Sequence, residues 1–185
     1  MRIVEGTIAV ANTDAFVDEL ATIGTETGAT VQAFDARYVV SRAHVVQAVE
    51  LADRSIERSE NIARDRGMEI LCYAAGRRQI ERALTMGVEG GATPVVVVAS
   101  ATPDGGGDVE GEDADGGRRD PPEDREAAAV DRLRDLVDPG ETLGTATDPE
   151  RVRSFFGIEP DEEAATDATL ADLVLERVAL LAVEK

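Results

Sequence analysis

The run Pro94-Val-Val-Val-Val-Ala-Ser100 does most to narrow what this chain can fold into. It is unbroken, apolar and β-branched, in a chain of which 31 % of residues are charged. Such a run reads as a strand covered on both faces, in the middle of a sheet. The flanking segments supply helical patterns to cover it. The fold class expected is therefore mixed α/β, with a small central sheet packed by helices in one domain spanning residues 1–185. A length of 185 residues is enough to bury an ordinary core.

Taken in order, Arg2–Ala11 alternates around Ile3, Ile8 and Val10 and predicts a first strand. Asn12-Thr13-Asp14 opens a helix with Phe16, Leu20 and Ile23 inward, ended by Gly24 and Gly28. Val31–Phe34 predicts a second strand and Tyr38–Val40 a third. Ser41 caps a helix with the stripe Val45, Val49, Ala52 and Ile56. Ser59 is expected to cap the next, with Ala63, Gly67, Ile70, Leu71 and Ala74 on one face. The apolar run Met68–Ala75 leaves a strand open as the alternative. Arg77–Met86 reads as a short helix with Ile80, Ala83 and Leu84 inward, closed by Gly87. Beyond the valine strand, Pro103–Arg125 is Gly- and Asp-rich and predicts a disordered acidic insertion, within residues 101–125. A helix Glu126–Leu136, a strand Glu141–Ala146 and a short helix from Asp148-Pro149 to Phe156-Gly157 follow. A last helix runs from about Asp167 to Val183. Its apolar arc is wide enough to need cover on two sides, by the protein or by a partner.

Charge is uneven. The chain has 38 acids and 19 bases and a net charge of −19. Extreme acidity is a device of salt-adapted proteins and points to a salt-loving organism, an archaeon, in which full stability without added salt would be unexpected. Ser41–Gly87 escapes it, with eight arginines against seven acids. A surface for an anionic partner would keep arginines there. At about 1 M salt the screening length is only about 3 Å, so such a partner has to be held by close contacts.

Many chemistries are excluded. The single lysine, Lys185, is terminal, which removes phosphate-binding loops and kinase chemistry. One histidine, His44, and one cysteine, Cys72, leave no zinc site and no intrachain disulfide. No G-x-S-x-G elbow occurs. No nucleophile–base set is visible, so neither an enzyme nor a cofactor is expected. The start lacks a signal-peptide pattern, and a soluble cytoplasmic protein is expected. Arg77 and Arg78 fall in the expected first turn of a helix. The dipole disfavours cations there but favours an anion held between N–H groups and guanidiniums.

The segment NIARDRGMEILCYAAGRRQIERAL carries N-x-A-x4-M-E-I-L-x-Y-x-x-G-x-R-Q-I from Asn61 to Ile80. It resembles the signature of the Cgi121 family, the KEOPS complex subunits whose human counterpart is the PRPK-binding protein. LVLERVALLAVEK at Leu173–Lys185 is a second match, with VVVVAS and FFGIEP between. The resemblance implies a non-catalytic mixed α/β subunit. Such a subunit binds the kinase-like ATPase Bud32, supports threonylcarbamoyladenosine (t6A) formation at position 37 of tRNA, and grips the single-stranded 3′ CCA end of tRNA. Splayed bases and phosphates suit arginine at close range. RNA contacts are then expected at Arg58, Asn61, Arg64, Arg77, Arg78 and Gln79. The Bud32 face is expected at Leu173, Val174, Arg177, Val178 and Leu181, where core packing is the equal alternative. The rival is a small α/β regulatory domain that holds an anionic metabolite through Arg77 and Arg78.

Overall fold

The computed structural model describes residues 1–103 and 120–183. Most of the acidic insertion, with Lys185, lies outside the described residues. Four strands form one sheet among those described: β1 (Arg2–Val10), β2 (Thr30–Asp35), β3 (Gly91–Ser100) and β4 (Asp138–Pro139), in the order β2-β3-β1-β4, all antiparallel. The valine run is central, as its composition dictates. Val96 lies between Phe34 of β2 and Glu5 of β1. Alternation sends Val95, Val97 and Ala99 to one face and Val96 and Val98 to the other, and each face has its own core.

One face is covered by α1 (Thr13–Thr27) and α5 (Pro122–Leu133), through Phe16, Leu20, Ile23, Ala129 and Leu133. The other is covered by α2 (Arg42–Glu57) and α3 (Arg66–Ala75), which also pack on each other. Two short helices, α4 (Ile80–Ala83) and α7 (Pro160–Ala164), lie at the surface. Between them in sequence, α6 (Pro149–Phe156) joins α8 (Leu170–Leu181) in a satellite core of Val152, Phe156, Ile158, Leu173, Val174 and Val178. Helix α8 also packs on α2 and α3. The breadth of its apolar arc is thus met within the chain. No helix among the described residues is long and apolar enough to cross a membrane.

The caps explain several boundaries. Asn12, Ser41 and Asp148 each accept a backbone N–H at a helix start. Thr169 and Asp172 form a reciprocal capping box on α8. Several expectations need correction. Gly24 lies inside α1, and only Gly28, at φ 69°, ends it. Tyr38 belongs to a 3₁₀ turn, Ala36–Tyr38, begun by the Asp35 carboxylate bonding the Arg37 N–H, so no strand forms at Tyr38–Val40. Ser59 does not cap α3; it sits in a loop at φ 56°, and Asp65 is the cap. Helix α5 starts at Pro122 because proline suits a first helical turn, four residues before the expected Glu126. Glu141–Ala146 is turns rather than a strand. Glu5 draws in the Thr142 and Leu143 N–H groups at 3.1 and 2.7 Å, and the Thr142 hydroxyl donates to the Val95 carbonyl. The fourth strand is instead Asp138–Pro139, opposite Gly6, where a Cβ would stand 2.0 Å from the Asp138 carbonyl oxygen. It is short because proline has no N–H to extend the ladder.

Candidate functional site

Helix α3 ends in a way that decides where the arginines go. Gly76 takes φ 59°, its N–H bonds the Tyr73 carbonyl, and the Arg77 N–H reaches back to Cys72 at 3.0 Å. This Schellman closure needs a residue tolerant of the left-handed region. The bend also packs Gly76 against the backbone of Arg177 in α8. Arg77 and Arg78 therefore precede α4, whose N-cap is Gln79 without a side-chain cap bond. The expectation of two guanidiniums over a free helix start is corrected: the Arg77 N–H is already used. The expected inward face is corrected too. Ala83 is buried, but Ile80 and Leu84 are exposed.

What the bend achieves is to throw the Arg77 side chain against α6. Its Nη2 donates to the Phe155 carbonyl, and its guanidinium carbon lies 5.7 Å from the Phe155 ring centre. Arg151 sits 5.4 Å from the ring centre of Tyr38, donates to its hydroxyl at 3.4 Å, and stands 3.7 Å from Asp148. The two rings meet edge to face at 5.0 Å. Tyr38, Arg77, Arg82, Thr85, Arg151, Ser154 and Phe155 line a cleft of about 380 Å³. Arg82 is exposed and forms no ion pair among the described residues. Two of the three cations thus rest on aromatic faces, which orient guanidinium without cancelling its charge. A cleft walled by π-faces and guanidiniums suits a flat group with an attached anion.

Behind this cleft the support is apolar. Phe155 stacks edge-on against Phe156 at 5.0 Å, and Phe156 against His44 at 5.8 Å. His44 is fully buried; its Nδ1 accepts the Val40 N–H at 3.5 Å, which leaves Nε2–H to donate to the Ala74 carbonyl at 2.8 Å. Burial pushes this imidazole down to about 4, so it is neutral at ordinary pH. Cys72 is buried as well, and burial pushes its thiol up to about 11, as expected of an inert packing residue.

The other sequence-predicted RNA residues are placed elsewhere. Arg78 and Gln79 are exposed beside Arg77 but do not line the cleft. Arg58 caps the end of α2 and lines a second, smaller cleft that shares no residue with the first. Asn61 and Arg64 are exposed in the loop between α2 and α3. The Asn61 amide donates to the Ala63 carbonyl at 2.6 Å. Fully buried Glu69 takes the Ile62 and Ala63 N–H groups on one oxygen at 2.8 and 2.7 Å. The spacing from Asn61 through Glu69 is thus a loop clamp. Sequence reasoning missed Tyr38, Arg82, Thr85, Arg151, Ser154 and Phe155. The available signal was Arg151 four residues before Phe155, a helical spacing too common to mark a site, and nothing in the sequence ties Tyr38, Arg82 or Thr85 to them.

Of the residues expected to face a kinase, Leu173, Val174, Val178 and Leu181 are 4, 0, 0 and 5 % exposed, so they are core in this chain. Arg177 bonds Glu162 of α7 at 2.6 and 2.8 Å. The outer side of α8 instead shows Leu180, and Val183 lies exposed just beyond it.

No curated protein matches the chain. The family model described as kinase binding protein CGI-121 matches residues 9–182, which takes in α1 to α8, the central strand and every cleft residue named above. On that span, the chain belongs to the CGI-121 family of kinase binding proteins.

Proposed function

We propose that the chain is a non-catalytic KEOPS subunit that binds the kinase-like ATPase Bud32 and holds the 3′ CCA end of tRNA, in support of t6A formation at position 37. Family membership supports the kinase half. The single observation that carries the RNA half is the open cleft in which Arg77, Arg82 and Arg151 stand with Tyr38 and Phe155. Unstacked bases lie on aromatic or guanidinium planes, at about 1–3 kcal/mol per base, and such contacts tolerate salt better than diffuse attraction does. Arg78 and Gln79, exposed alongside, extend the same surface, and Arg58, Asn61 and Arg64 would meet the RNA further along. The kinase meets the outer side of α8 around Leu180 and Val183, with Leu173, Val174, Val178 and Leu181 holding that helix from within. The rival, a regulatory domain for an anionic metabolite, draws on the same cleft, whose 380 Å³ also falls in the small-molecule range.

The test is a binding titration at fixed salt with intact tRNA and with tRNA lacking CCA. Arg77→Glu with Arg82→Glu should abolish binding to the intact form, and the truncated form should bind the unaltered protein weakly. Equal affinity of both proteins for both RNAs would place the RNA site elsewhere.

A further inference from the structure

The second cleft, at the seam between α2 and the chain just after α8, is small, about 60 Å³. It is lined by Arg54, Ser55, Arg58, Glu60 and Tyr73, closed by Leu51 and Ala182. Ser55 is 5 % exposed and its Oγ is buried with no hydrogen-bond partner. A serine inside a helix either faces solvent or bonds back to the carbonyl one turn before it. Here that bond is absent, and a buried hydroxyl without a partner calls for an occupant. The volume suits a few waters or one tetrahedral oxyanion, and no larger group.

Charge favours the oxyanion. Arg58 forms no ion pair among the described residues, and Arg54 meets Glu50 only at 3.7 Å, with both side chains more than half exposed. Such a pair leaves its arginine available. Two features oppose. Glu60 is a carboxylate at the rim, but it is exposed and has a partner of its own. The end of α2 carries negative dipole charge. Its last carbonyls are occupied: Arg54, Ser55 and Ile56 accept N–H groups from Arg58, Glu60 and Ser59. Two guanidiniums and one unused hydroxyl against one engaged acid leave an anion preferred.

We propose that this cleft binds a phosphate-class oxyanion, with the Ser55 hydroxyl donating from the floor and Arg54 and Arg58 closing over it. The site shares no residue with the first cleft, so it stands whether or not RNA is held there. Inorganic phosphate and an RNA phosphodiester offer the same chemistry to it.

The experiment is an NMR titration of the full chain with potassium phosphate against potassium chloride at matched ionic strength. Saturable amide shifts confined to residues 51–60, the end of α3 around Tyr73 and the chain at Ala182 are expected. Ser55→Ala and Arg58→Gln should each weaken phosphate at least fivefold with the rest of the spectrum unchanged, and Arg82→Gln should leave it alone. Displacement of phosphate by a short RNA ending in CCA identifies a phosphodiester as the occupant; no displacement identifies the free anion. No saturable shift, or equal shifts in Ser55→Ala and Arg58→Gln, means an adventitious ion only and overturns the proposal.

Discussion

Arg66 and Arg77 stand at opposite ends of α3, in one arginine-rich stretch, and have opposite fates. Arg66 is 7 % exposed and fully engaged: it pairs with Asp53 at 2.7 and 2.9 Å and donates to the Ser100 carbonyl and hydroxyl at 2.9 and 3.0 Å. It ties α2, α3 and the end of the central strand together. Arg77 meets a carbonyl and a ring and lines an open cleft. An arginine closed by a carboxylate has no charge left to offer; one held by a ring and a carbonyl has a fixed position and a charge still available. Residue type alone does not separate the two cases, and partner chemistry does.

The strongest way to break this contrast is Arg66→Met. It strands the Asp53 carboxylate and two acceptors of Ser100. Breaking a buried pair costs about 3–5 kcal/mol, and the partial exposure of Asp53, 30 %, places the expected loss at about 3 kcal/mol in a urea melt. RNA affinity of the folded fraction should stay within about twofold, because the cleft is untouched. A loss below about 1 kcal/mol would mean that Arg66 is no more structural than Arg77.

Acid separates the two regions without a mutation. The cleft's cations are arginines, which keep their charge at any working pH. The support behind it contains His44, whose folded value of about 4 lies below its ordinary 6.5. The folded state therefore binds a proton less readily than the unfolded chain. The stability this gives is fully present above pH 6.5 and is lost as pH falls from 6.5 towards 4, by up to about 3 kcal/mol. Melts across that window should fall more steeply for the native chain than for a His44→Gln variant. Parallel curves would show that His44 does not report the interior.

Legibility followed the same division. Strands β1 and β3 and the caps of α1, α2 and α6 were readable because each rests on local pattern or local hydrogen bonds. The turns at Tyr38 and Thr142 were not, since side chains distant in sequence or a competing carboxylate set them. The site was half readable. Arg77 follows from the glycine before it, whereas Arg151, Tyr38 and Phe155 join it only through the packing of α6 on the turn after β2. Helix α8 shows the limit from the other side. Its apolar arc read equally as core or interface, and only the presence of α2 and α6 on its two flanks decided for core.

The finest discrimination lies inside the cleft, between Arg77 and Arg82. Arg77→Gln removes a hydrogen bond to a backbone carbonyl and a ring contact worth about 0.5–1 kcal/mol, so stability should fall by about 1 kcal/mol. Arg82 is exposed, and Arg82→Gln should move stability by less than about 0.5 kcal/mol. If both guanidiniums serve the ligand, each change weakens RNA by about tenfold at fixed salt, equivalent to about 1.4 kcal/mol. The informative quantity is then the ratio of binding loss to stability loss, near one for Arg77 and well above one for Arg82. A ratio near one for both would make the cleft a structural seam between α6 and the α3–α4 bend. A loss of RNA affinity of about tenfold in Arg82→Gln, with less than about twofold in Arg77→Gln, would make Arg77 a strut that positions Phe155, with the ligand's charge met by Arg82.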